Sequence, residues 1–472
     1  MSRRADSSLA AGAGSDLDPT LSASPAGLDA LARGWLRLGL LALAGSGVFA
    51  ILLVFSRTPQ VNQWLPVADF FRVALIVHVN LSVLVWFVAL AGMLWSMTGS
   101  ARALALGWLA LRLCSVGTVL MVLAPFIGRA SPIMANYVPV LDGPVFLAGL
   151  AVFGLGGAVL VLRGLIATRP VGPGLALGGA LRFGLNASLV AAAVSVLAFC
   201  ASLLLVPRFL DSQIYYEIVF WGGGHALQFV WTLLMLVGWL WLGVAAGATV
   251  LLTPRLTVLL FALALACVFV TPCAYLAASV TSVEFRLINT WAMRLGGGIA
   301  IVPVGLAVTL GVLRSCAARS TSELPLRAAL LASIVLFGAG GVIGALINGS
   351  NVRIPAHYHG CIVGVTLALM GLVYLLLPRL GYRAPSGRLA VWQPLLYGAG
   401  QLLHIIGLVW SGGYGVQRKV AGAEQVLRSA SEVAGMGLMG LGGLIAVVGG
   451  LLFVVVVVQA MRQRPASTGV GG

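Results

Sequence analysis

Residues 354–378 read IPAHYHGCIVGVTLALMGLVYLLLP, and this stretch decides the fold. It holds no Asp, Glu, Lys or Arg, and it is longer than the ~20 residues an α-helix needs to cross the hydrocarbon core of a bilayer. Near its start it also carries two histidines, polar groups that are costly at membrane depth.

Working outward, the same pattern recurs along the whole chain. Apolar runs predict membrane spans near 36–56, 70–97, 103–127, 141–163, 184–207, 217–246, 256–281, 296–314, 327–347, 357–378, 391–412 and 433–461. The expected fold is therefore all-α, a polytopic membrane protein of about twelve helices. Composition agrees: of 472 residues 60% are hydrophobic and only 8% charged, and mean hydropathy is +1.06. A soluble protein could neither bury so much apolar surface nor stay dissolved with so thin a charged coat. The 61 glycines suit helices that pack closely in lipid.

The organisation reads as a flexible tail over 1–34, a transmembrane domain over 35–462 and a short tail over 463–472. The first long apolar run begins too late for an ordinary signal peptide, so the chain is expected to keep its N-terminus. Lys419 is the single lysine among 28 basic residues, which give a net charge of +16. Because these residues fall mainly between apolar runs, they read as topology determinants and not as a nucleic-acid surface. With the N-terminus in the cytoplasm, that side collects the larger set, including Arg102, Arg163, Arg169, Arg182, Arg255, Arg327 and Arg379. Both ends are thus expected in the cytoplasm of a cell that carries the protein in its inner membrane. Cys114, Cys200, Cys267, Cys273, Cys316 and Cys361 are scattered and form no CxxC or CxxCH, so no disulfide frame, zinc site or covalent heme attachment is read.

All five histidines, His78, His225, His357, His359 and His404, lie in or at the edge of predicted spans. The bland reading of each is an interhelical hydrogen bond. As a set, however, they share one depth toward the outer face, as a cofactor layer requires. The His357-Tyr358-His359 triplet adds geometry: two residues along a helix turn it by about 200°, so the imidazoles point to opposite sides. They could serve two cofactors flanking one helix. HxH alone is also read as a water-facing pair at the mouth of a helix.

The pattern resembles subunit I of the heme-copper oxidase superfamily, which includes cytochrome c oxidases and nitric oxide reductases. The resemblance implies two hemes. IVHVN would place His78, and IPAHYHG would place His359, as the ligands of a low-spin heme, with His357 on a high-spin heme. FWGGGHALQF would place His225 on a second metal, copper or non-heme iron. In LLHIIGLVWSGGYGVQRK, Arg418 and Lys419 resemble the basic pair that meets the heme propionates, although on their own they read as a surface loop. The implied activity is that of a respiratory oxidoreductase: electrons pass between the hemes, and oxygen or nitric oxide is reduced at the catalytic residues His225 and His357. An electron-donating partner subunit or cytochrome c is implied as well.

One segment departs from that family. Span seven, LALACVFVTPCAYLAASVTS, has no histidine, so two of the usual three ligands to the second metal are missing. Cys273 and Tyr275 in this span read equally as packing residues, and Glu284 as a loop residue. Phe229 stands where oxygen-reducing members often carry Tyr and nitric oxide reductases Glu. This favours a second reading, a heme-binding electron carrier or sensor without a functional second metal. A transporter, a third class with twelve spans, would need paired half-repeats or an intramembrane charge cluster, and neither is read here.

Overall fold

Lipid offers no partners to backbone N–H and C=O groups, so each span must close its own hydrogen bonds as a helix. The computed structural model describes residues 26–58, 68–127, 130–172, 176–315, 323–347, 351–418 and 426–463. Among them are twelve helices long and apolar enough to cross a membrane: α1 (Gly27–Arg57), α2 (Phe71–Thr98), α3 (Leu104–Phe126), α4 (Pro144–Ala167), α5 (Leu177–Leu205), α6 (Trp221–Ala245), α7 (Pro254–Ala277), α8 (Val283–Arg314), α9 (Glu323–Ala345), α10 (Arg353–Leu376), α11 (Arg388–Gly413) and α12 (Ala430–Arg462). Each expected span has its helix. Exposed side chains such as Leu204 and Leu276 form the apolar outer surface such helices turn to lipid.

Several boundaries differ from the hydropathy reading: α8 begins at Val283 and not near 296, α5 at Leu177 and not near 184, and α1 takes up part of the expected tail over 1–34. α1 starts well ahead of its apolar run because Leu28, Leu31 and Trp35 are fully buried and Asp29 lies in its first turn, where the helix dipole favours an acid. Arg163 is not a loop charge: it is fully buried in α4, where its guanidinium donates to the carbonyls of Ser100 (2.9 Å) and Trp95 (3.4 Å) at the end of α2. It thus gives the Ser100 carbonyl a donor and adds a second one to the Trp95 carbonyl, which also accepts from Gly99 N–H.

The chain divides into two compact units, the first from described parts of residues 1–42, 76–240 and 250–311, the second from those of 43–75, 241–249 and 312–472. In the first, Trp35, Trp86, Phe146, Phe261 and Phe285 are fully buried. A small antiparallel hairpin, β1 (Ser131–Ile133) and β2 (Val140–Asp142), links α3 to α4. In the second, the Tyr374 hydroxyl donates to Gln393 Oε1 (2.9 Å) while Gln393 Nε2 donates to the Gly449 carbonyl (3.2 Å), which leaves neither buried side chain unpaired.

Close helix contact in the second unit depends on glycine. Along the antiparallel α11–α12 seam the facing positions are Tyr397 and Gly449, Gly400 and Ala446, His404 and Gly442, Gly407 and Met439, then Ser411 and Gly435. Steps of three and four residues on both helices make this a heptad seam, and every layer has a glycine on one side. The backbones meet because no Cβ stands between them. His404 occupies one layer of that seam. Gly442→Leu would drive a side chain into the His404 backbone, and overpacking of this kind costs about 1–3 kcal/mol. We expect a clearly lowered thermal unfolding midpoint in detergent. Gly437→Leu on the same helix, where a Cβ meets open space, should leave the midpoint nearly unchanged.

Candidate functional site

In the first unit, His78 sits at the end of a regular helical stretch. The next six residues, Asn80–Val85, widen into a π-helix, a distortion common at functional sites. Side chains take up the local carbonyls: Asn80 Nδ2 donates to Ile76 O (2.9 Å) and Ser82 Oγ to His78 O (2.7 Å). Asn80 is buried and also donates to Pro139 O (2.8 Å) at the tip of the β1–β2 hairpin.

The same hairpin tip reaches His225. The Tyr137 hydroxyl lies 3.0 Å from both ring nitrogens of His225, and the two ring centroids are 4.9 Å apart. His225 Nδ1 is also 2.8 Å from the Trp221 carbonyl. A carbonyl only accepts, so Nδ1 carries the hydrogen and Nε2 is left with the lone pair. Tyr137 O–H then donates to Nε2, with Thr290 Oγ1 at 3.5 Å. The glycines of Trp221-Gly222-Gly223-Gly224-His225 make room for rings: a Cβ at Gly222 would meet Tyr275, at Gly223 Phe199 and at Gly224 Tyr137.

Two carboxylates fasten the hairpin to the short helix Ser212–Val219 just before α6. Asp142 accepts from Ser212 Oγ (3.0 Å) and Tyr216 (3.3 Å), and Glu217 accepts from the Asn136 amide (3.0 Å) and its Nδ2. Burial, followed by the Asp142 charge, pushes the Tyr216 phenol up to about 12. A raised folded-state value means this anchor is complete below the ordinary phenol range and is lost only as pH climbs through about 12.

In the second unit the HYH triplet opens α10. His357 Nδ1 lies 2.7 Å from the Gly340 carbonyl on α9, in a cradle where a Cβ on Gly344 would fall 2.5 Å from that nitrogen. Nδ1 therefore carries the hydrogen, and Nε2 keeps its lone pair. His359 faces the other way, its ring centroid 4.6 Å from that of His404 on α11. The opposed directions expected from the two-residue spacing are thus present, and His359 and His404 are neighbours. His404 Nδ1 is tied to the Met439 carbonyl (2.9 Å) on α12.

The remaining sequence candidates separate. Arg418 is half-buried in the turn after α11, and Lys419 lies outside the described residues. Tyr275 is a packing residue: its hydroxyl is shared with Ser202 (2.6 Å) and the Ala198 carbonyl (2.9 Å). Cys273 is exposed. Glu284 lies in the first turn of α8 and not in a loop. Sequence reasoning missed Tyr137, Asn80 and Thr290, because a loop folded back on the helices brings Tyr137 to His225. The glycine triplet was the available signal, since three missing side chains beside a histidine announce bulky neighbours.

Comparison with known proteins points one way. The family model described as cytochrome c and quinol oxidase polypeptide I matches residues 30–461. An uncharacterized protein of Rickettsia prowazekii is 29% identical over 92% of this chain and 96% of its own length. Another, from Aquifex aeolicus, is 28% identical over 76% of this chain and 88% of its own. Among solved structures, a heme-copper terminal oxidase dimer matches with a TM-score of 0.74 at 16% identity, over 94% of this chain and 85% of that one. At that identity the match shows the fold.

Asn80→Leu would remove the donor to Pro139 and leave buried carbonyls short, which costs about 1–3 kcal/mol. We expect faster amide hydrogen exchange across 134–140 in this variant, read by mass spectrometry. Unchanged exchange would mean the hairpin is held by its carboxylate anchors alone.

Proposed function

The chain belongs to the cytochrome c and quinol oxidase polypeptide I family, and on that premise we propose that it is a membrane respiratory oxidoreductase subunit that passes electrons between two hemes and reduces oxygen or nitric oxide. The observation that supports it best is the orientation of the α10 pair. His357 and His359 address opposite neighbours, α9 and α11, as ligands of two separate cofactors on one helix must.

The donor chemistry fits heme. An axial ligand must present a nitrogen lone pair, and second-shell hydrogen bonds normally hold its other N–H. His357 has this arrangement, with Nδ1–H on Gly340 and Nε2 available. On this reading His78 and His359 hold the low-spin heme, His357 holds the high-spin heme, and Arg418 and Lys419 pair with propionates. Heme, when bound, would supply reversible one-electron chemistry and a place for a small gas to react. The protein's own part is to fix the His357 imidazole in one tautomer and to exclude water with apolar helices. The arginine distribution supports both termini in the cytoplasm, and on this reading electrons come from a partner subunit or cytochrome c.

A second metal fits less well. Among the described residues no group of three or more His, Cys, Asp or Glu could hold a metal ion, and His225 Nε2 already accepts from Tyr137. This observation favours the second reading, an electron carrier or sensor.

Optical spectra of the reduced protein with and without carbon monoxide separate these readings. We expect two hemes per chain, with the low-spin signal lost in His78→Ala and in His359→Ala. His357→Ala should lose carbon monoxide binding alone. A protein that carries no heme, or three variants with unaltered spectra, would remove the proposal. Two hemes without turnover of oxygen or nitric oxide would select the carrier or sensor.

A further inference from the structure

The surroundings of His225 carry a further step. Its ring is buried and its hydrogen-bond partners are a carbonyl, a phenol and a hydroxyl, with no carboxylate among them. A buried imidazole in such company is neutral, so it has one lone pair to give. The Tyr137 hydroxyl lies 3.0 Å from Nε2 and equally 3.0 Å from Nδ1, and of the two nitrogens only Nε2 has a lone pair to accept with.

We propose that Tyr137 and His225 form a hydrogen-bonded pair that stands where the family pattern puts a second metal, and that this site takes neither copper nor non-heme iron. Two atoms 3.0 Å apart could in principle be neighbouring ligands of one ion. A transition metal at such a site, however, takes about four donors, chiefly imidazole, thiolate or carboxylate. The remaining neighbours here are the Thr290 hydroxyl and, on the Nδ1 side, the Trp221 carbonyl. Span seven supplies no histidine, and the Tyr275 phenol is spent on Ser202 and Ala198.

The pair is also built, because both members are held from outside it. The Tyr137 ring lies against Gly224, where any Cβ would overlap it, and edge-on to Trp221 with centroids 5.9 Å apart. The residues flanking Tyr137 are pinned by Glu217 on Asn136 and by Asn80 on Pro139. The phenol therefore meets the imidazole without having to be ordered first, so the hydrogen bond outcompetes a poorly liganded ion. Functionally, with its one hydrogen committed to Nε2, the Tyr137 hydroxyl presents a substrate with an acceptor oxygen in place of a Lewis acid.

Two measurements on the full-length protein test this, and both read independently of heme content. In the first, wild type and His225→Ala are incubated with copper(II) or iron(II), freed of unbound metal, and counted for metal beyond heme iron. His225→Gln, whose side-chain oxygen can still accept from Tyr137, replaces the alanine variant if that one is unstable. We expect the same count in wild type and variant. One equivalent per chain in wild type that is lost with His225 overturns the proposal, while the heme assignments stand or fall on their own spectra. In the second, nitrogen-15 magnetic resonance of labelled histidine identifies the His225 signal by its loss in the variant. We expect an Nδ1–H tautomer whose Nε2 resonance moves in Tyr137→Phe. An Nε2 resonance that ignores Tyr137→Phe overturns the proposal.

Discussion

Inside an apolar helix bundle a histidine has no water to satisfy its two nitrogens, and this constraint organises the rest of the site. Three of the five rings solve it alike. His225 donates Nδ1–H to Trp221, His357 to Gly340 and His404 to Met439, each to a backbone carbonyl at 2.7–2.9 Å. One hydrogen bond of this kind avoids the cost of a buried unpaired donor. It also fixes the tautomer, so Nε2 is the nitrogen each ring presents to whatever lies beyond.

A carbonyl can be reached this way only if the helices come close, and here glycine enters. Gly344 lets the His357 ring stand against α9, Gly340 lets the α10 backbone approach at Gly360 and Cys361, and Gly442 lets the α11 backbone meet α12 at His404. The abundance of glycine, which composition alone explains as generic membrane packing, is thus partly a local requirement of the histidines. The two properties share one physical cause: dispersion and hydrogen bonding in lipid depend on backbone approach, because no hydrophobic force drives helices together there.

The His225 pocket differs from the other two in how its Nε2 is used. At His357 the hydrogen bond to Gly340 engages Nδ1 and leaves the lone pair on Nε2. At His225 a phenol from outside the helix already occupies it. On the proposed reading the family pattern is kept where a heme needs a ligand, and the chain departs from it at span seven, which has no histidine.

Much was legible from residue order alone. Twelve apolar runs implied twelve helices, because backbone hydrogen bonding in lipid admits no other use for them. The two-residue spacing of His357 and His359 implied opposite directions, because the turn per residue of an α-helix is constant. Both follow from local geometry, which neighbours in sequence already determine. Even the α11–α12 seam was written as glycines seven apart, at 400 and 407 and again at 435, 442 and 449. What only the tertiary structure decided was the company each histidine keeps. Tyr137 precedes His225 by 88 positions, and Asn80 precedes Pro139 by 59. Such contacts arise when a hairpin folds back onto helices, and no periodicity in the chain encodes which side chain its tip will deliver.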